Sequence, residues 1–189
     1  MMVNSPREDK GMLNENFALQ ELVSRSRQEA AQGNYVEAYR LLRDLPLTVS
    51  DLPEAVLLKA SLALSCEQYE DALRGYNEVI SVMEVCAAVH LHRFECLLRL
   101  GRLAQAEREL EAGESPLQGH HARHLMLARI AARRGQAVRA IGHLKAAYYL
   151  HPGALTCAAH FPELRGHLLT LQTQAMTAWR FDHSLAYLN

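Results

Sequence analysis

Apolar positions along this chain recur three and four residues apart, the spacing that lines one face of a helix. No alternating run of β-branched residues bounded by turn signals, the mark of a half-buried strand, interrupts them. The pattern predicts an all-α protein. Its clearest instance is residues 33–45, Gly-Asn-Tyr-Val-Glu-Ala-Tyr-Arg-Leu-Leu-Arg-Asp-Leu, and versions of it return as Cys66-Glu67-Gln68-Tyr69-Glu70-Asp71-Ala72-Leu73, Gly101-Arg102-Leu103-Ala104-Gln105-Ala106 and Gly135-Gln136-Ala137-Val138-Arg139-Ala140. The first position falls at 33, 67, 101 and 135, a step of 34 each time. Stacked at that step, one column is Ala38, Ala72, Ala106, Ala140, and four residues on another is Leu42, Tyr76, Leu110, Leu144. A small residue where two helices approach, beside a large one filling the next gap, makes this the second helix of each unit. The Gly or Glu that opens each copy sits at a turn, where positive φ is easiest for Gly. Upstream lies a first helix with apolar columns at Val23, Leu57, Leu91, Leu125 and at Ala30, Leu64, Leu98, Ala132.

Start and stop signals divide the array. Residues 1–16 read as a flexible leader, with Asn14 an N-cap for the following helix. The array covers 17–154, in repeats of about 19–52, 53–86, 87–120 and 121–154. Pro46 ends the second helix of the first unit; Asp51-Leu52-Pro53-Glu54 opens the second with a cap, an early proline and an acid. Its second helix is expected over 69–83, and the third unit over 87–100 and 103–112, stopped at Gly113. Ser115-Pro116-Leu117-Gln118 is a capping box that predicts an early start for the fourth unit's first helix. The last second helix, 138–150, runs into His151-Pro152-Gly153. Residues 155–189 follow as C-terminal capping helices: a short turn at 155–160, then a long helix from 163 towards 187. Its stripe of Leu164, Leu168, Leu171, Ala175 and Trp179 would cover the last open face of a stack. Met176, Phe181, Leu185, Tyr187 and Leu188 lie off that stripe, which leaves a dimer contact or a self-occupying segment as alternatives.

A helix-turn-helix unit with this period and this Gly-x-Tyr-x-x-Ala core resembles the tetratricopeptide repeat (TPR) family. The resemblance covers roughly residues 19–154 and implies a right-handed superhelix of about four repeats. In the family register a buried first-helix position is held by Arg25, Lys59, Arg93 and Leu127, and the small position after it by Ser26, Ala60, Phe94 and Ala128. Either those charged stems snorkel, or the first helices are rotated by one residue, about 100°. In TPR proteins the first helices line a concave groove that holds a partner's peptide or helix. Carried onto this chain, the groove columns are Val23, Leu57, Leu91 and Leu125, then Leu64 and Leu98, with Arg27, Glu95, Arg99, Arg129 and Arg133 among them. Such a trough suits an apolar segment oriented by charged side chains, although a leucine column in a stacked array fills a core as readily as it meets a ligand. The dicarboxylate clamp of co-chaperone members is missing, since Val23, Arg27, Leu58, Ala88 and His92 stand at its positions. The chain also resembles the small TPR chaperones of bacterial secretion systems.

Composition narrows the function. Of 189 residues 49% are hydrophobic, enough for a continuous core, and only 6% are aromatic, as suits a Leu- and Ala-filled helical stack. A net charge of −1 with spread basic residues argues against a general nucleic-acid surface. There is no run approaching the ~20 apolar residues of a membrane span, and no secretory signal at the N-terminus, so a cytoplasmic protein is expected. Cysteines 66, 86, 96 and 157 lack a pairing signature and are expected to be reduced and mostly buried. Among ten histidines, His120 and His124 have the i, i+4 spacing by which two imidazoles share a metal, but two ligands make no site; His90 and His92 point apart. Nucleophile-elbow, phosphate-loop and zinc-protease motifs are missing. The chain is therefore expected to be a non-enzymatic adaptor or chaperone for another protein, without cofactor or metal. Homo-oligomerisation through the C-terminal helix is the alternative, and a metal-dependent protein using His120, His121 and His124 the third reading.

Overall fold

The computed structural model describes the backbone of residues 6–45, 47–48, 52–111 and 117–186, and side chains for the same residues apart from 6–16 and 177–186. Among them every regular element is helical. The chain divides into two compact units, Met1–Leu100 and Gly101–Asn189.

The first unit holds α1 (Pro6–Ala31), α2 (Tyr35–Arg43), α3 (Pro53–Ser65), α4 (Tyr69–Val82) and α5 (Ala87–Arg99). Helices α1 and α2, and α3 and α4, form helical hairpins, and α4 packs on α5. The hairpin turns are made as the repeat predicts: Gly33 has φ +85° and Glu67 φ +61°, the latter a left-handed conformation without glycine's freedom. Ala38, Leu42, Ala72 and Tyr76 are all fully buried. Close approach explains the small residues. Ser26, itself buried, donates from Oγ to the carbonyl of Ala38 at 2.8 Å, and a Cβ on Gly75 would stand 2.8 Å from the Cβ of Ala60. The Tyr39 hydroxyl donates to Asp71 at 2.7 Å and ties α2 to α4.

Ser26, Ala60, Phe94 and Ala128 are all buried. The charged residues that precede the first three are not. Arg25 is exposed, the Lys59 ammonium donates to the carbonyl of Leu45 at 3.2 Å, and Arg93 reaches Asn77.

The second unit holds α6 (Leu103–Glu111), α7 (His121–Arg133), α8 (Ala137–Leu150), α9 (Ala154–Ala158), a 3₁₀ turn (Pro162–Leu164) and α10 (Arg165–Ala186). Helices α7 and α8 form its main hairpin, on which α9, the 3₁₀ turn and the start of α10 pack. Gly101 and Gly135 turn with φ +71° and +72°, and Ala106, Leu110, Ala140 and Leu144 are fully buried. Leu164, at the end of the 3₁₀ turn, is buried; on α10 Leu168 and Leu171 are half-buried, but Ala175 is exposed, as are Leu169 and Met176.

Several boundaries differ from expectation. Helix α1 starts at Pro6, upstream of Asn14: proline suits a first turn, and the helix-favouring Arg7, Glu8, Lys10, Met12 and Leu13 follow. Helix α7 starts at His121, because Leu117 turns into the core and Gly119, at φ +73°, redirects the chain; the His120 ring caps the helix by accepting from the Ala122 N–H at 3.1 Å. The signals at Pro46, Asp51, Gly113, Ser115 and Pro116, the side chains of Asn14, Trp179, Phe181 and Leu185, and Tyr187 and Leu188 lie outside the described residues. All four cysteines are free, but of them Cys96 alone is buried; Cys66 is half-buried, and Cys86 and Cys157, at the start of α5 and on the outer side of α9, are exposed.

Candidate partner-binding face

The first helices of the first unit carry several expected contact residues. Arg27 on α1 pairs with Glu54 in the first turn of α3 at 3.0 Å. Beneath this pair an open recess of about 390 Å³ is lined by Gln20, Val23, Arg27, Leu52 and Pro53. Leu57 and Leu64 of α3 and Leu91 of α5 are each half-buried, too exposed for core residues and too covered to be free surface. Glu95 accepts from Arg99 Nε at 2.8 Å, and the Arg99 guanidinium lies 5.9 Å from the Tyr69 ring centroid. The hydrogen bond to Glu95 holds Arg99 above its ordinary pKa, against burial, which acts in the opposite sense. Three half-buried leucines, two on α3 and one on α5, and two ion pairs thus lie on the first helices of the first unit, with Leu57 packed against Val56 and Val79.

Other expected contact residues are not on offer. Leu98 is buried in the first unit, as is Leu125 in the second, and both are core positions; Val23 is buried apart from the edge that lines the recess. Arg129 is only 2% exposed. Its Nε donates to Glu163 at 2.7 Å, its guanidinium lies 4.1 Å from the Phe161 ring centroid, and Arg133 stands 3.6 Å from the same carboxylate oxygen. Burial pushes the Glu163 carboxyl up, but the bond from Arg129, a backbone N–H and the charges of Arg129 and Arg133 outweigh it and hold it below its ordinary value. Neither Phe161 nor Glu163 stood out in the sequence. They meet α7 through a tertiary contact that leaves no helical period behind. Glu54 was legible as a first-turn acid, not as the partner of Arg27.

Five of the ten histidines stand along the α7–α8 hairpin. His120 stacks on His121 at 4.4 Å and His121 on His151 at 4.9 Å between centroids. His124 does not meet His120; its Nδ1 lies 3.3 Å from Nδ1 of His143 on α8. Burial lowers the affinity of both for a proton, and neighbouring positive charges add to it: Arg123 for His124, and His124, Arg139 and Arg123 for His143, against which Glu107 acts in the opposite sense. Among the described residues no group of three or more His, Cys, Asp or Glu side chains gathers to hold a metal ion. Burial pushes the Cys96 thiol up to about 12 and raises that of Cys66, the reverse of what activates a nucleophile.

No family model matches the sequence, and no curated protein matches it. A solved structure does share its fold: "Crystal structure of YrrB: a TPR protein with an unusual peptide-binding site" superposes with a TM-score of 0.54 and 12% identity, over 82% of this chain and 84% of that one. The chain is therefore an all-helical protein of TPR-like fold. Among the described residues no helix is long and apolar enough to cross a membrane.

Proposed function

We propose that this protein is a non-enzymatic binding module, a cytoplasmic adaptor or chaperone that holds an apolar peptide or amphipathic helix of another protein along the α1, α3 and α5 side of its first unit. The observation that carries the reading is that Leu57, Leu64 and Leu91 stay half-buried on first helices that also carry the Arg27–Glu54 and Glu95–Arg99 pairs. Apolar side chains left partly wet on a helix face gain by being covered, about 1.5–3 kcal/mol for a leucine taken from fully exposed to fully buried and less from this starting point. Those charges orient the ligand and set which sequences fit. A TPR protein of like fold, YrrB, is described as having a peptide-binding site, and the resemblance to secretion-system chaperones makes an aggregation-prone exported subunit the first partner to try. Affinity capture from native lysate followed by mass spectrometry identifies the partner. Leu91→Arg is then expected to abolish capture with helix content unchanged by circular dichroism; capture that survives the change refutes the assignment.

A second reading is self-association through α10, favoured by the exposed Leu169 and Met176. Sedimentation of the intact chain against one ending at Leu164 decides it: a monomer at both lengths removes the dimer.

A further inference from the structure

The α7 face of the second unit is already filled by the chain itself. Phe161 is extended, with φ −96° and ψ 109°, and Pro162–Leu164 adds a single 3₁₀ turn. This short segment packs on α7 and meets two of the positions that the repeat register gives to a ligand, Arg129 and Arg133. Phe161 offers its ring to the Arg129 guanidinium at 4.1 Å, Glu163 accepts from Arg129 at 2.7 Å and lies near Arg133, and Leu164 is fully buried beneath them. Arg129 also lies 3.7 Å from Met126 Sδ. A guanidinium this deeply desolvated is tolerated only while a carboxylate neutralises it and a ring or backbone covers its face.

We propose that residues 161–164 are an internal ligand of α7, and that the partner segment able to compete for this face has the same chemistry: an aromatic residue, then a carboxylate two residues on, then an apolar residue. Each element has its reason. The ring replaces Phe161 over Arg129, the acid replaces Glu163 between two arginines, and the apolar residue takes the place vacated by Leu164. A segment without the acid forfeits the bond that Glu163 makes to Arg129 and its nearness to Arg133, so it does not compete. This face stands or falls independently of the α1, α3 and α5 side, since every residue involved belongs to the second unit.

The test uses the full chain and a fluorescein-labelled peptide reproducing residues 158–167. An occupied face lowers apparent affinity by the fraction of molecules in which it is free, so the double variant Phe161→Ala/Glu163→Gln is expected to bind the peptide about tenfold or more tighter than the native chain does. The same peptide carrying Gln at the position of Glu163 is expected not to bind. A variant of native helix content that fails to bind, or that binds both peptides equally, overturns the proposal. Hydrogen exchange on the native protein supplies a readout that needs no variant. An internal ligand lifts off while α7 stays folded, so amides of 159–164 exchange ahead of those of α7; exchange of the two as one cooperative piece overturns it.

Discussion

The close approach of α3 and α4 predicts opposite outcomes for one substitution at two helical glycines. At Gly75 a Cβ would stand 2.8 Å from the Cβ of Ala60, with the Ala60 Cα and the Val56 carbonyl also within 4 Å. At Gly142, within α8, a Cβ meets nothing within 4 Å. Replacing glycine by alanine inside a helix stabilises by about 0.5–1 kcal/mol through backbone entropy, and both sites share that gain. At Gly75 it is opposed by overpacking. Carbon contacts are optimal at about 3.5–4.0 Å, so the helices must part by roughly 1 Å, at a cost of about 1–3 kcal/mol. Alanine is short and Ala60 cannot swing aside. Gly75→Ala is therefore expected to destabilise by about 1 kcal/mol, and Gly142→Ala to stabilise by about 0.5–1 kcal/mol. Urea unfolding followed by circular dichroism measures both. The double variant Gly75→Ala/Ala60→Gly removes the opposing methyl, and the cycle should show a favourable coupling of about 1 kcal/mol or more between the sites. Stabilisation by Gly75→Ala equal to that by Gly142→Ala would refute the packing argument.

Two further outcomes follow from the turns and the histidines. Glu67 holds a left-handed conformation where the equivalent positions carry glycine, so Glu67→Gly is expected to raise stability by about 0.5–1 kcal/mol, and a lower urea midpoint would contradict this. The His124–His143 pair makes the second unit sensitive to acid. Above about pH 7 both imidazoles are neutral whether the chain is folded or not; below about pH 6.5 the unfolded chain takes up protons that the folded hairpin resists, so stability falls with pH. Protonating both Nδ1 atoms would set two N–H groups against each other across the 3.3 Å contact. The melting temperature should drop between pH 7 and 5, and His143→Gln should flatten that slope; a slope unchanged by the variant counts against the pair.

Where structure and sequence agree, the reason is packing repeated at a fixed interval. Ala38, Ala72, Ala106 and Ala140 are buried because each stands where two helices come close, and the same constraint at each copy makes the column visible. The turns at residues 33, 67, 101 and 135 are legible for the same cause. The columns expected to face a ligand were less so. Leu57 and Leu91 stay half-exposed while Leu98 and Leu125 are buried, and leucine identity alone does not separate the two. Arg129 was placed on an open face because residue 163, thirty-four positions away, gives no local sign that it supplies the counter-charge. The start of α7 was missed because a side-chain cap from His120 imitates what Ser115 promised.

Site-specific photocrosslinking tests the docking account most directly. A photoreactive residue is placed at Leu57 or Leu91 on the first helices, and at Arg40 or Glu78, exposed on the second helices of the same unit. The account predicts that partner polypeptide is trapped from positions 57 and 91, and that little is trapped from 40 and 78. Equal yields from both sets, or yields confined to 40 and 78, would contradict it.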